Sequence, residues 1–276
     1  MKTKKQKVFS TVIFILCVLA AIIMLVPFLW MVSASFKSNT EMFEKPIRWI
    51  PEVFHLDNYV RVWTDVDFLQ YYLNTFKVTV VSVFIQVFTC SLSAFAFTKL
   101  KFPGRDKIFF VYIATMMVPW HAIMIPQFIT VRTLGLYNSH MALILIGSFN
   151  AFGVFLLRQN MLSIPSEMNE AAKIDGCSIM RIYWNIIMPL TKGGIATLII
   201  LQFNTVWNDY MAPMIYLDSD AKKTIQLGLA SFRQQYSADY GAIMAGTVCS
   251  VIPIIIIYAF AQQYIIDGVA HAGVKG

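Results

Sequence analysis

The chain has 276 residues, 58% of them hydrophobic and only 13% charged, with a formal net charge of +7. Ordinary soluble domains carry about 25% charged residues, so this chain lacks the polar surface to cover a soluble globule. Its basic residues are dispersed and form no single stripe, which excludes a nucleic-acid binding surface.

In chain order, charge-free runs cover Val8 to Phe36, Val78 to Thr98, Ile108 to Val131, Thr133 to Leu157 and Tyr240 to Ile266; a sixth, Gly193 to Leu217, is interrupted only by Asp209. About 20 helical residues cross a hydrocarbon core of roughly 30 Å. Alternating strands of the kind that build membrane barrels are absent from the sequence pattern, so the expectation is an all-α polytopic membrane protein with six transmembrane helices.

The first run follows Lys2, Lys4, Lys5 and Lys7, and Ser33-Ala34-Ser35 resembles a cleavage site. A signal h-region is only about 7–15 residues long, so this run reads as a retained span. The boundaries expected are 1–36 for the N-terminus and first span, 37–71 for an external loop, 72–266 for a five-span core, and 267–276 for a tail. The loop mixes Trp49, Phe54, Tyr59 and Trp63 with acids, and reads as interfacial aromatics or a partner surface.

Thirteen Lys and Arg fall on one set of alternate segments, including Lys99, Lys101, Arg105, Arg158, Lys173, Arg181, Lys192 and Lys275; eight fall on the other. The richer side is expected to be cytoplasmic, with both termini on it.

Cys17, Cys90, Cys177 and Cys249 form no C-x-x-C pair, the four histidines are scattered, and no G-x-S-x-G or phosphate-binding glycine loop occurs. No catalytic residue, metal site or nucleotide site is assigned to the chain, and any nucleotide energy must come from a partner.

The 158–192 segment contains Pro165-Ser166-Glu167-Met168-Asn169-Glu170-Ala171-Ala172-Lys173-Ile174-Asp175-Gly176. Ser166 is placed to N-cap a short helix, acids occupy its first turns, Lys173 lies near its end, and Gly176 suits a left-handed stop. Met168, Ala171, Ala172 and Ile174 form a small apolar face. A second helix begins after Ser178, and Pro189 bends the chain into the fifth span. These features fit either an orderly surface loop or a helix seated in another protein's groove.

At membrane depth Asn150, Gln202, Asn204, Asn208 and Asp209 are polar. They read either as interhelical hydrogen-bonding partners or as residues lining a translocation path. Pro119, Pro126, Pro213 and Pro253 are expected to kink helices.

The string Glu170 to Leu190, EAAKIDGCSIMRIYWNIIMPL, resembles the E-A-A motif of binding-protein-dependent ABC importer permeases; Glu170, Ala171, Ala172, Asp175, Gly176, Ile186 and Pro189 match it. The six spans, Trp207-Asn208-Asp209 and the tail GVAHAGVKG are similar to the second permease subunit of maltose-type carbohydrate importers. The resemblance implies that Glu170, Ala171, Ala172, Asp175 and Gly176 couple the chain to a cytoplasmic ATPase dimer, which holds ATP and magnesium. It further implies a second homologous permease and an extracytoplasmic solute-binding protein, and leaves Asn150, Asn204, Asn208 and Asp209 as substrate-path residues. A non-sugar solute such as a glycerol phosphate, or a secondary transporter, are the other readings.

Overall fold

The computed structural model describes residues 4–233 and 239–273, with side chains described except at 4, 6 and 264–273. The tail string beginning at Gly268 lies outside the described side chains, and Lys2 and Lys275 lie outside the described residues. Among these residues every regular element is helical. The order is α1 (Lys4–Ala34), α2 (Asn39–Phe43), α3 (Asp57–Thr64), α4 (Phe68–Lys99), α5 (Arg105–Ala114), α6 (Trp120–Thr133), α7 (His140–Gly147), α8 (Ala151–Leu162) and α9 (Ser166–Ile174). There follow α10 (Ile179–Ile182), a π-helical turn (Tyr183–Ile187), α11 (Met188–Leu190), α12 (Lys192–Trp207), α13 (Met211–Tyr216), α14 (Ile225–Ser231) and α15 (Tyr240–Gly273).

Four helical stretches are long and apolar enough to cross a membrane: Lys7–Ala34, Phe68–Lys99, His140–Leu162 and Tyr240–Gln263. The runs around 108–131 and 193–217 behave differently. Arg105–Met117 and Trp120–Thr133 meet at 98°, because Pro119 pushes Val118 out of the helical region to ψ 113. Ile179–Leu190 and Lys192–Trp207 meet at 75° around Thr191, two residues past Pro189. Pro126 and Pro253 lie inside α6 and α15.

The chain forms two compact units. The first comprises residues 1–68 and 228–251. The start of the last span therefore groups with the N-terminal region, and the side chains give the reason. Arg61 pairs with Asp239, and a Cβ on Gly241 would meet Asn58 Oδ1 at 2.6 Å. Asn58 is buried and donates to the carbonyls of Ser35 and Lys37, each at 2.9 Å. Lys37 itself is fully buried, with its ammonium donating to the Arg48 carbonyl and lying 4.3 Å from the Trp30 ring centre. A buried ammonium is tolerated only with such partners. None of the most apolar stretch of α1 is buried within the chain.

The second unit comprises residues 69–227 and 252–276. One apolar core joins Cys90, Ala94 and Phe95 of α4 to Phe109, Leu157, Met161, Tyr183 and Leu198. A second joins Val78, Val131, Leu143, Ala212 and Tyr216. Small residues set the helix separations: a Cβ on Gly153 would lie 2.8 Å from Cys90 Sγ and 3.0 Å from Leu198 Cδ1.

Candidate functional sites: a capped interhelix segment and a polar cavity

The segment between α8 and α12 carries α9. Its N-cap is Pro165, with extended ψ of 138, so Ser166 is the first helical residue and makes no capping bond, contrary to the expected role of Ser166. Proline at the cap supplies the extended backbone by itself and moves the boundary one residue earlier. The other end follows the expectation. Asp175 is the C-cap and Gly176 takes φ +76. Gly176 N–H donates to Lys173 O at 3.0 Å and Cys177 N–H to Ala172 O at 2.9 Å, the paired bonds of a Schellman turn.

The apolar face expected of α9 divides in two. Ala172 and Asn169 are buried, Ala172 within the large core, whereas Met168, Ala171 and Ile174 face outward beside Glu167 and Glu170. Ile174 is 87% exposed, so a strongly apolar side chain stands unpartnered next to the glycine turn. Lys99 at the end of α4 donates to Ile164 O at 2.6 Å and fixes the approach to α9. Inward anchorage and an outward mixed surface make α9 a rigid projection, not a slack loop.

Ser178 caps α10 through Arg181 N–H at 3.3 Å, as its position in the sequence predicts. The helix then widens into the π-helical turn, in which Met188 N–H reaches Tyr183 O. Pro189 has no N–H to offer the carbonyl four residues back, and the wider turn accommodates that missing bond. Tyr183 is fully buried, with its hydroxyl 2.7 Å from Ser91 Oγ and its ring 5.3 Å from Phe95.

The membrane-depth polar residues separate into two groups. Asn150 and Asp209 line one cavity of about 360 Å³, together with Trp120, His121, Gln202 and Thr224. Asn204 and Asn208 do not line it: Asn208 Nδ2 donates to Asn204 O at 2.9 Å and Oδ1 at 3.0 Å, and Gln226 donates to Asn208. A spacing of four positions places these side chains on a common helical face, where they satisfy each other.

Every cavity amide is held in place. Asn150 occupies the break between α7 and α8 and caps α8 through Phe152 N–H at 2.8 Å and Gly153 N–H at 3.3 Å. Its Nδ2 reaches Gln202 Oε1 at 3.4 Å, and Gln202 Nε2 reaches Gly147 O at 3.3 Å. Asp209 Oδ1 accepts Ala212 N–H at 3.2 Å, so it caps the chain entering α13 while also lining the cavity. Trp120 begins α6 directly after the 98° bend, and its indole N–H is fixed by Gln127 Oε1 at 2.9 Å. Gln127 also accepts the Tyr216 hydroxyl at 3.1 Å.

Of the polar residues the sequence places at membrane depth, Asn150, Gln202 and Asp209 line this cavity; Trp120, His121 and Thr224 line it too and were not among them. The signal for Trp120 was its place after Pro119 within an apolar run. Thr224 carried none, because it sits in a polar connection and enters the cavity only through the fold.

Residues 87–271 match the family model described as "Binding-protein-dependent transport system inner membrane component". The chain is 32% identical over 279 residues to the arabinooligosaccharides transport system permease protein AraQ of Halalkalibacterium halodurans, covering 100% of both. It is 33% identical over 288 residues to the polygalacturonan/rhamnogalacturonan transport system permease protein YtcP of Bacillus subtilis, covering 99% of this chain and 100% of that one. Its fold matches, with a TM-score of 0.82 and 28% identity, a chain of a bacterial ABC transporter involved in the import of the acidic polysaccharide alginate, covering 96% of this chain and 99% of that one. Several apolar helices and a match spanning two thirds of its length agree: the chain belongs to the inner-membrane permease components of binding-protein-dependent transport systems.

Proposed function

We propose that the chain is the transmembrane permease of an ATP-driven importer that carries a carbohydrate delivered by an extracytoplasmic solute-binding protein. The observation that carries this reading is full-length similarity to permeases named for oligosaccharide transport. In this reading the two bent pairs each make one span, giving six, and the positive-inside bias sets both termini in the cytoplasm.

The α9 projection is the coupling element. Ala172 seats it on its own bundle, while Glu170, Ala171 and Ile174 meet a cytoplasmic ATPase subunit, and Asp175 with Gly176 fix the angle at which the helix leaves. A second permease of similar fold completes the path, and an ATPase dimer supplies the energy from ATP and magnesium. Closure of that dimer shifts the permease between inward-facing and outward-facing states by contacting α9 differently in each. Asn150 and Asp209 belong to the substrate path. Asn204 and Asn208 serve as its structural border.

Mild-detergent purification of the full chain tests the assembly. An ATPase subunit and a second permease are expected to accompany it, and ATP-dependent saccharide uptake is expected in vesicles containing all three with the binding protein. Isolation without any ATPase, unchanged by Gly176 or Glu170 substitution, argues against the reading.

A further inference from the structure

The relatives named above transport both neutral and acidic saccharides, so the charge of the cargo is the next thing the cavity has to answer. We propose that the cavity around Trp120, Asn150, Gln202, Asp209 and Thr224 is a saccharide subsite carried by this subunit, and that it takes a neutral sugar and rejects a uronate. The proposal rests on the carbohydrate-importer reading.

Three observations carry it. The cavity of about 360 Å³ falls in the range of small-molecule pockets, roughly 300–1,000 Å³. It combines an indole held in fixed orientation with a carboxylate and two side-chain amides, the groups that meet the apolar face and the hydroxyls of a sugar ring. Thr224 is only 4% exposed, lines the cavity, and its Oγ1 has no hydrogen-bonding partner among the described residues. An orphaned buried hydroxyl costs stability unless something in the cavity bonds to it.

Charge decides the class. Asp209 is the acid lining the cavity, and no lysine or arginine is among the described lining residues. The two lysines beside Thr224 are engaged elsewhere: Lys222 donates to Asn138 O and Lys223 pairs with Asp220. A carboxylated sugar would meet Asp209 with no lining lysine or arginine to offset the repulsion, whereas a neutral ring offers it hydroxyl donors.

The test is saturation-transfer NMR on the intact transporter, this chain with the subunits that co-purify with it, in nanodiscs without binding protein. The probes are neutral arabinotriose, maltotriose, cellotriose and diacetylchitobiose, and acidic trigalacturonate. Transfer to at least one neutral probe and none to trigalacturonate is expected. Asp209→Asn keeps an acceptor for Ala212 N–H, so it preserves the turn; it is expected to weaken the neutral probe by about tenfold and to admit trigalacturonate, which a merely structural role would not do. Trp120→Ala is expected to abolish transfer. Transfer to trigalacturonate in the wild type, no transfer to any neutral probe, or neutral transfer unchanged in both variants overturns the proposal. ATP-dependent uptake of trigalacturonate alone overturns this inference and leaves the carbohydrate importer standing; absence of all saccharide uptake overturns both.

Discussion

The Tyr183 hydroxyl stands 2.7 Å from Ser91 Oγ, joining the π-helical turn to α4 through two fully buried side chains. Ser91 Oγ is also 3.1 Å from the Phe88 carbonyl, to which it donates, so Tyr183 is the donor in the shared bond. Tyr183→Phe removes one net hydrogen bond and is expected to cost about 0.5–1.5 kcal/mol. Tyr183→Ala also opens a cavity in the main core and is expected to cost about 3–5 kcal/mol. Thermal unfolding in detergent distinguishes the two, and an uptake-to-hydrolysis ratio lowered in Tyr183→Phe would place this bond on the route from α9 to α12.

Gly176 isolates backbone strain from crowding. It holds φ +76 and a Cβ there would meet nothing within 4 Å. Gly176→Val is therefore expected to strain the turn by about 1–2 kcal/mol without a clash, and to lower uptake per ATP hydrolysed. Gly176→Asn, which adopts left-handed geometry more readily, is expected to keep more than half of the coupling. Equal ratios in valine and wild-type proteins would show that the turn does not set the coupling angle.

Cysteine labelling reads the two faces of α9. Ile174→Cys is expected to react with a membrane-impermeant maleimide in inside-out vesicles of the chain alone and to be protected when the ATPase is bound. Ala172→Cys, buried at 6% exposure, is expected to stay unreactive in both. Protection of Ala172→Cys only on ATPase binding would require α9 to leave its seat.

The sequence pattern located α9 well because its signals are local. Gly176 has to take positive φ, Ser178 is followed by an N–H three residues on, and both requirements are met within one turn. The 98° bend and the cavity were harder to read. Hydropathy records only that 108–131 is apolar, and an apolar run does not distinguish one straight helix from two short ones joined by Val118 and Pro119. Asn150, Asn204, Asn208 and Asp209 likewise look equivalent in a linear string. Their placements diverge because Asn150 and Asp209 sit at helix breaks that open onto the cavity, whereas Asn204 and Asn208 lie four apart and bond to each other.

Gly153 marks a close helix approach in the main core. Gly153→Ala places a Cβ 2.8 Å from Cys90 Sγ and is expected to cost about 1–3 kcal/mol by overpacking. Combining it with Cys90→Ala removes the sulfur and is expected to recover part of the loss, which a double-mutant cycle measures. The Leu198 methyl at 3.0 Å keeps the recovery incomplete.

Gln86 on α4 is fully buried, and neither its Oε1 nor its Nε2 has a hydrogen-bonding partner among the described residues. Gln86→Leu, close in shape, is expected to stabilise the unit by about 1–3 kcal/mol because it relieves an unmet polar demand. A lower unfolding temperature for Gln86→Leu would mean that the amide bonds to a group of the assembled transporter.

The first helix follows different rules. At about 1.5 Å per residue its 31 residues reach roughly 46 Å, beyond a hydrocarbon core of about 30 Å, and none of its most apolar stretch is buried among the described residues. Its letters are thus governed by greasiness and reach, and shape exerts no selection on them from within the subunit. Such a helix is free to drift, or to be exchanged for another apolar anchor, while the packed helices hold their pattern.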